Sequence, residues 1–131
     1  MKTRLLAAIG LMLATAISFA QKAPIKFGDV PLYKVQMKVY DKDSSAAAVV
    51  LTDFGESAID YSSDKGFMIR FTRIRRVKIL TKDGYEWGNF SIPLYHDGSD
   101  KESVGSLKAI THNLENGKVV ETKMKNDAIF K

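Results

Sequence analysis

Tyr95-His96-Asp97 sets an imidazole between a phenol and a carboxylate, the group types that a general base and its orienting partners require. Neighbours on an extended segment point to opposite faces, however, and no nucleophile or oxyanion donor stands nearby in sequence. The triplet reads as a polar loop, and no catalytic residue is expected in this chain. His112 is the only other histidine, and there is no cysteine. Two histidines on different elements supply at most half of a zinc site. Asp41, Asp43 and Ser45 space their oxygens like the opening of a calcium loop, but Ala46 stands where the sharp turn needs glycine. Thr52 likewise stands where a bidentate glutamate belongs. Asp97, Asp100 and Glu102 make an acidic loop of a kind common on protein surfaces. No metal or cofactor is expected.

Binding chemistry is better represented. Arg70, Arg73, Arg75, Arg76 and Lys78 crowd one segment, and guanidinium groups grip phosphates or acidic glycans. Tyr33, Tyr40, Tyr61, Tyr85, Trp87 and Tyr95 offer rings that stack on sugars where several share an exposed face. The candidate ligand surface is therefore Arg73, Arg75, Arg76, Trp87, Tyr95 and His96. The plainer reading is that strand cations deter edge pairing and that the rings fill a core or form cross-strand pairs. The net charge of +5 falls to +3 without Lys2 and Arg4, too slight a bias to imply nucleic acid or another polyanion.

Lys2 and Arg4 precede an apolar run from Leu5 to Ile17, and Ser18 and Ala20 put small residues at the positions a signal peptidase reads. Residues 1–20 are expected to be a signal-peptide helix cleaved before Gln21. The run is too short for a permanent span, so no transmembrane segment is expected after cleavage. The mature chain is then exported to the periplasm, the cell envelope or the extracellular space. Without cysteine it has neither a lipid anchor nor disulfides, and apolar burial and sheet hydrogen bonds must hold it together.

The elements that position these residues are mostly β. Residues 21–32, with Pro24, Gly28 and Pro31, read as an extended lead-in. Tyr33 to Tyr40 alternates as a first strand, although a short helix also fits. Ala46 to Leu51 reads as a strand closing at Asp53-Phe54-Gly55, with Glu56 to Tyr61 as its hairpin partner. Residues 67–80 carry the strongest strand pattern, with Phe67, Ile69, Phe71, Val77 and Ile79 of one parity. Arg73 and Arg75 fall on that apolar side. Either a bulge near Thr72 shifts the phase, the preferred reading, or the strand outruns its core. Lys82-Asp83-Gly84 should turn the chain into a return strand, Tyr85 to Leu94, with Pro93 at its end. His96 to Glu102 reads as a loop. Val104 to Asn113 and Lys118 to Lys123 flank Glu115-Asn116-Gly117, a tight-hairpin signature. The whole reads as an antiparallel sheet or β-sandwich of six to seven short strands over 33–131. The apolar start at Ala128-Ile129-Phe130 leads to the expectation that this domain continues past Lys131.

Three stretches carry a likeness: KVYDKDSSAAAVVLTDFGES from Lys38, RRVKILTKDGYEWGNFSIPLY from Arg75 and LKAITHNLENGKVVETKMKNDAIF from Leu107. From Tyr33 onward the chain resembles the first part of the domain of unknown function 3857 (DUF3857), an exported bacterial β-domain that precedes a transglutaminase-like domain. The resemblance implies a non-catalytic accessory domain with a downstream transglutaminase-like partner on the same polypeptide. That partner's Cys, His and Asp triad has no counterpart here, so no catalytic residue carries over. A freestanding glycan- or envelope-binding β module is the alternative.

Overall fold

Pro31 opens the first element. Its fixed φ of −59° and its carbonyl, which accepts from Lys34 N at 2.9 Å, start a single helical turn, α1 (Leu32–Gln36). The computed structural model describes residues 22–98 and 100–130, so the signal-peptide helix expected over 1–20 lies outside the described residues. The expected strand from Tyr33 to Tyr40 is therefore corrected to α1. A helical turn lets Val35 alone tuck inward, at 7% exposure, while Tyr33 and Val39 stay in solvent.

β1 (Ala48–Ser62) and β2 (Gly66–Ile79) form one long antiparallel ribbon, paired from Ala48↔Ile79 at the base to Ser62↔Gly66 at the tip. The expected break at Asp53-Phe54-Gly55 is absent, and the two short strands of that reading are one. Gly55 is a ladder residue paired with Arg73; its missing side chain leaves room for the Phe71 ring, which would lie 2.8 Å from a Cβ. At the tip, Gly66 takes φ +71° and Lys65 N donates to Ser62 Oγ at 3.2 Å, closing a short loop.

The expected bulge near Thr72 is also corrected. The register shift lies on β1, between Val50 and Thr52, where Leu51 is the extra residue. β2 runs through without a change of phase, so Arg73 and Arg75 share a face with Phe71 and Val77. The second reading holds instead: the strand outruns its core. Val77 and Ile79 are half-buried at the base, whereas Phe67 and Ile69 are 80% and 79% exposed.

After Ile79 the chain turns at Leu80 and Thr81, whose amides both donate to Ala47 O at 2.8 and 3.1 Å. A 3-10 helix, η1 (Lys82–Gly88), follows in place of the expected hairpin, and residues 89–95 run on without strand pairing. Gly84 does not take a positive φ. It is buried against Ala47, a spacing that a side chain would forbid. The predicted loop at His96 to Glu102 closes as a minimal ribbon, β3 (His96–Asp97) with β4 (Asp100–Lys101), around Gly98 at φ +56°.

β5 (Ile110–Glu115) and β6 (Lys118–Lys123) pair across Asn116 and Gly117, at φ 50° and 76°, the primed turn that Asn-Gly favours. This hairpin is as expected, except that its first strand begins at Ile110 and not near Val104. A short 3-10 turn, η2 (Asn126–Ala128), follows. The fold is mainly β and antiparallel. Its six strands form three separate two-stranded ribbons among the described residues, and not the one sheet or sandwich expected. α1 packs on β5, and η1 on the base of β1 and β2. Val35 is the only buried apolar side chain among the described residues.

Candidate functional site

Strand alternation divides the arginine cluster. Arg73 and Arg75 stand on one face of β2 and Arg76 on the other. Arg73 makes a two-pronged bond to Asp53, donating from Nε to Oδ1 at 2.7 Å and from Nη2 to Oδ2 at 2.6 Å. Arg75 Nε lies 3.9 Å from the same carboxylate, directly across the ribbon. The Arg73 hydrogen bond is the main cause holding the Asp53 carboxyl below its ordinary range. Arg76 turns toward the lead-in and donates to the carbonyls of Asp29 and Lys26, the latter at 3.5 Å. Arg73 and Arg76 therefore already have hydrogen-bond partners within the chain, and Arg75 has a charge contact with Asp53. They do not converge into an anion grip.

Arg75 and Trp87 do meet. The guanidinium carbon lies 5.6 Å from the centroid of the indole, which η1 presents to the foot of the ribbon. Arg75 Nε is buried without a hydrogen-bond partner, so the ring and the Asp53 charge supply its surroundings. Trp87 remains 50% exposed. Tyr95 and His96 belong to a different unit. Tyr95 N donates to Glu102 Oε2 at 2.9 Å and its hydroxyl to Asp97 Oδ2 at 3.3 Å, while His96 pairs with Lys101 across β3–β4. The six candidate residues thus fall into one contact, Arg75 on Trp87, and separate polar pairs.

The remaining polar clusters have local uses. Asp43 Oδ1 accepts from Ser45 N at 2.9 Å and from Ser45 Oγ at 2.6 Å, a side-chain turn that lowers its carboxyl pKa. His112 Nδ1 sits 3.5 Å from Glu121 Oε1, its directly paired neighbour on β6. Among the described residues no three His, Cys, Asp or Glu side chains gather as metal ligands do. Lys78 extends Nζ to Val35 O at 2.7 Å, one of the carbonyls that α1 leaves without an intrahelical partner. Partial burial there pushes its pKa down.

What the structure does bring together is apolar. On the outer face of the ribbon, Ile59, Tyr61, Phe67, Ile69 and Phe71 form a contiguous patch, with the Tyr61 and Phe67 rings 5.1 Å apart. At the base, Trp87, Phe90, Ile92 and Leu94 are each about half exposed along a single segment. A cleft of about 390 Å³ opens between the lead-in and the β5–β6 ribbon, lined by Phe27, Ala109, Ile110 and Met124 and bordered by Lys108 and Lys123. The period-two pattern in β2 revealed the apolar side chains, but sequence parity does not show which face meets solvent. No protein-family model, curated protein or solved structure matches the chain.

Proposed function

We propose that this chain is a non-catalytic interaction domain of an exported bacterial protein, and that it packs against a transglutaminase-like domain of the same polypeptide. The observation that carries this reading is the uncovered base. Trp87, Phe90, Ile92 and Leu94 expose about half of their surface in sequence order, and the cleft beside Phe27 and Met124 joins apolar side chains to the Lys108 and Lys123 border. A partner surface laid over that segment converts three independent ribbons into the layered antiparallel sandwich that their strand patterns favour. The leader pattern at residues 1–20 and the resemblance from Tyr33 onward support export and the identity of the partner.

The reading frame past Lys131 and the behaviour of the mature chain test this together. An open frame encoding a Cys, His and Asp constellation is expected, with amides of residues 85–95 gaining exchange protection when that region is attached. A stop codon directly after Lys131, with a cooperative thermal transition for the mature chain alone, would overturn it.

A freestanding glycan-binding module is the second reading, favoured by the half-exposed Trp87 ring with Arg75 against it. Trp87 is the only tryptophan, so its emission reports directly on ligands at that spot. An unchanged spectrum across neutral and acidic polysaccharides removes this alternative.

A further inference from the structure

We propose that two copies of this chain pair through the outer faces of their β1–β2 ribbons, forming a two-fold dimer centred on Ile59 and Ile69. This pairing uses the tip of the ribbon, away from the base assigned above to a partner domain, and does not depend on that domain. Ile59, Tyr61, Phe67, Ile69 and Phe71 are between 63% and 80% exposed, and all lie on one face. The reverse face carries Glu56, Asp60, Arg70 and Thr72, with Arg70 Nε bonded to Asp60 Oδ2 at 2.7 Å. Toward the tip the reverse face, which also carries Ala58 and Met68, is the more polar of the two.

Area is the first reason for choosing a second copy. Large side chains cover roughly 150–250 Å² each when fully exposed, so these five present about 700 Å² per copy at their observed exposures. Two such faces in contact remove about 1,400 Å² from water, inside the range of roughly 1,200–2,000 Å² typical of stable specific interfaces.

Shape is the second. In an isologous pair every contact occurs twice, and a two-fold axis at the Ile59↔Ile69 pair reverses one ribbon over the other. The Tyr61–Phe67 ring pair of one copy then lies over the Ser57↔Phe71 row of its partner, next to Gly55. Tyr61 then faces the small Ser57, and Phe67 faces Phe71 as a ring pair. Sheet faces stacked at the usual angle of about −30° accept this arrangement, with ring and isoleucine side chains interdigitating.

Charge is the third. At about 3.3 Å per residue, the turn carrying Asp64 and Lys65 lies about 17 Å from the axis on one side. The Gly55↔Arg73 and Asp53↔Arg75 rows lie about 13 and 20 Å away on the other. Reversal sets Asp64 of each copy beside Arg73 and Arg75 of its partner, and Lys65 beside Asp53. Both ends of the apolar patch are thus closed by opposite charges.

Sedimentation of the full mature chain over a concentration series tests the proposal, alongside Ile59→Asp, Ile69→Asp and Asp64→Arg. The native chain is expected to dimerise. Each isoleucine variant should sediment as a monomer with an unchanged far-ultraviolet circular dichroism spectrum, since both positions are exposed and the substitutions leave the ribbon ladder intact. Asp64→Arg should weaken pairing about tenfold at low salt and less at high salt, and adding Arg73→Asp should recover part of the loss. Three results overturn the proposal: a native chain that stays monomeric at all concentrations, a dimer that survives both isoleucine substitutions, or a monomer that co-sediments with phosphatidylglycerol vesicles through Phe67. Because none of these readouts involves a downstream domain, failure here leaves the accessory-domain reading standing, and the reverse also holds.

Discussion

Gly84 lies against the carbonyl of Ala47, so close that a Cβ at position 84 would overlap the oxygen and stand 2.8 Å from the carbonyl carbon. That same carbonyl accepts the amides of Leu80 and Thr81, so it has no freedom to retreat. Gly84→Ala therefore forces apart the junction of η1 and the ribbon, at a cost of about 1–3 kcal/mol. Gly55→Ala serves as the contrast. There the obstacle is the far edge of the exposed Phe71 ring, which can swing away, and the change stays within about 0.5 kcal/mol. Denaturant unfolding of the two variants should separate them clearly; equal losses would show that the Ala47 contact is not the constraint.

Acid should weaken the ribbon through its cross-strand carboxylates. Hydrogen bonds from Arg73 and Arg70 are the leading causes that hold Asp53 and Asp60 below the ordinary value of 3.8. A carboxyl with a lowered folded-state pKa contributes stability above its unfolded value, and that contribution fades as pH falls through the folded one. The thermal midpoint should therefore be flat from neutrality to about pH 5 and decline below pH 4. Asp53→Asn is expected to reduce the steepness of that decline. An identical acid profile in the variant would exclude the Asp53–Arg73 pair as its source.

The same ribbon shows which features sequence discloses. Asn116-Gly117 was legible because a two-residue loop with positive φ at both positions has few solutions, and the sequence supplies the residues that tolerate it. The long alternation from Phe67 to Ile79 was legible for a similar reason. Gly55 and Gly84 were misread as turn markers. A glycine is needed equally where φ is positive and where another group approaches closely, and the approaching groups, Phe71 and Ala47, are set by tertiary contact. Arg73 and Arg75 looked like a phase error because Asp53, their partner, lies twenty or more residues earlier and across the ladder. The meeting of Arg75 with Trp87 had no local signal, since it depends on η1 folding back where a strand was expected.

Lys78 should add a response of the same sign at alkaline values. Desolvation lowers its folded-state pKa from 10.5, so the folded chain releases this proton more readily than the unfolded one. In the window between the lowered value and 10.5 the unfolded state binds more protons, and the Lys78 contribution to stability rises with pH. Relative to Lys78→Met, the native chain should therefore gain stability as pH increases toward that upper limit. A constant difference between the two across the alkaline range would show that burial of the ammonium does not affect folding.

The Arg75–Trp87 contact gives a spectroscopic handle on how η1 is held to the ribbon. The guanidinium covers part of the indole at 5.6 Å, is only 27% exposed itself, and keeps water from that side of the ring. Arg75→Ala removes the cover, so Trp87 emission should move to longer wavelength and acrylamide quenching should increase. Arg75→Lys retains the charge but loses the planar stacking surface, and should lie between the two. Arg76→Ala, on the opposite face of β2, should leave the spectrum unchanged and so serves as the control for general loosening of the strand. If Arg75→Ala and Arg76→Ala shift the emission equally, Trp87 is reporting on strand disorder and the stacking account fails.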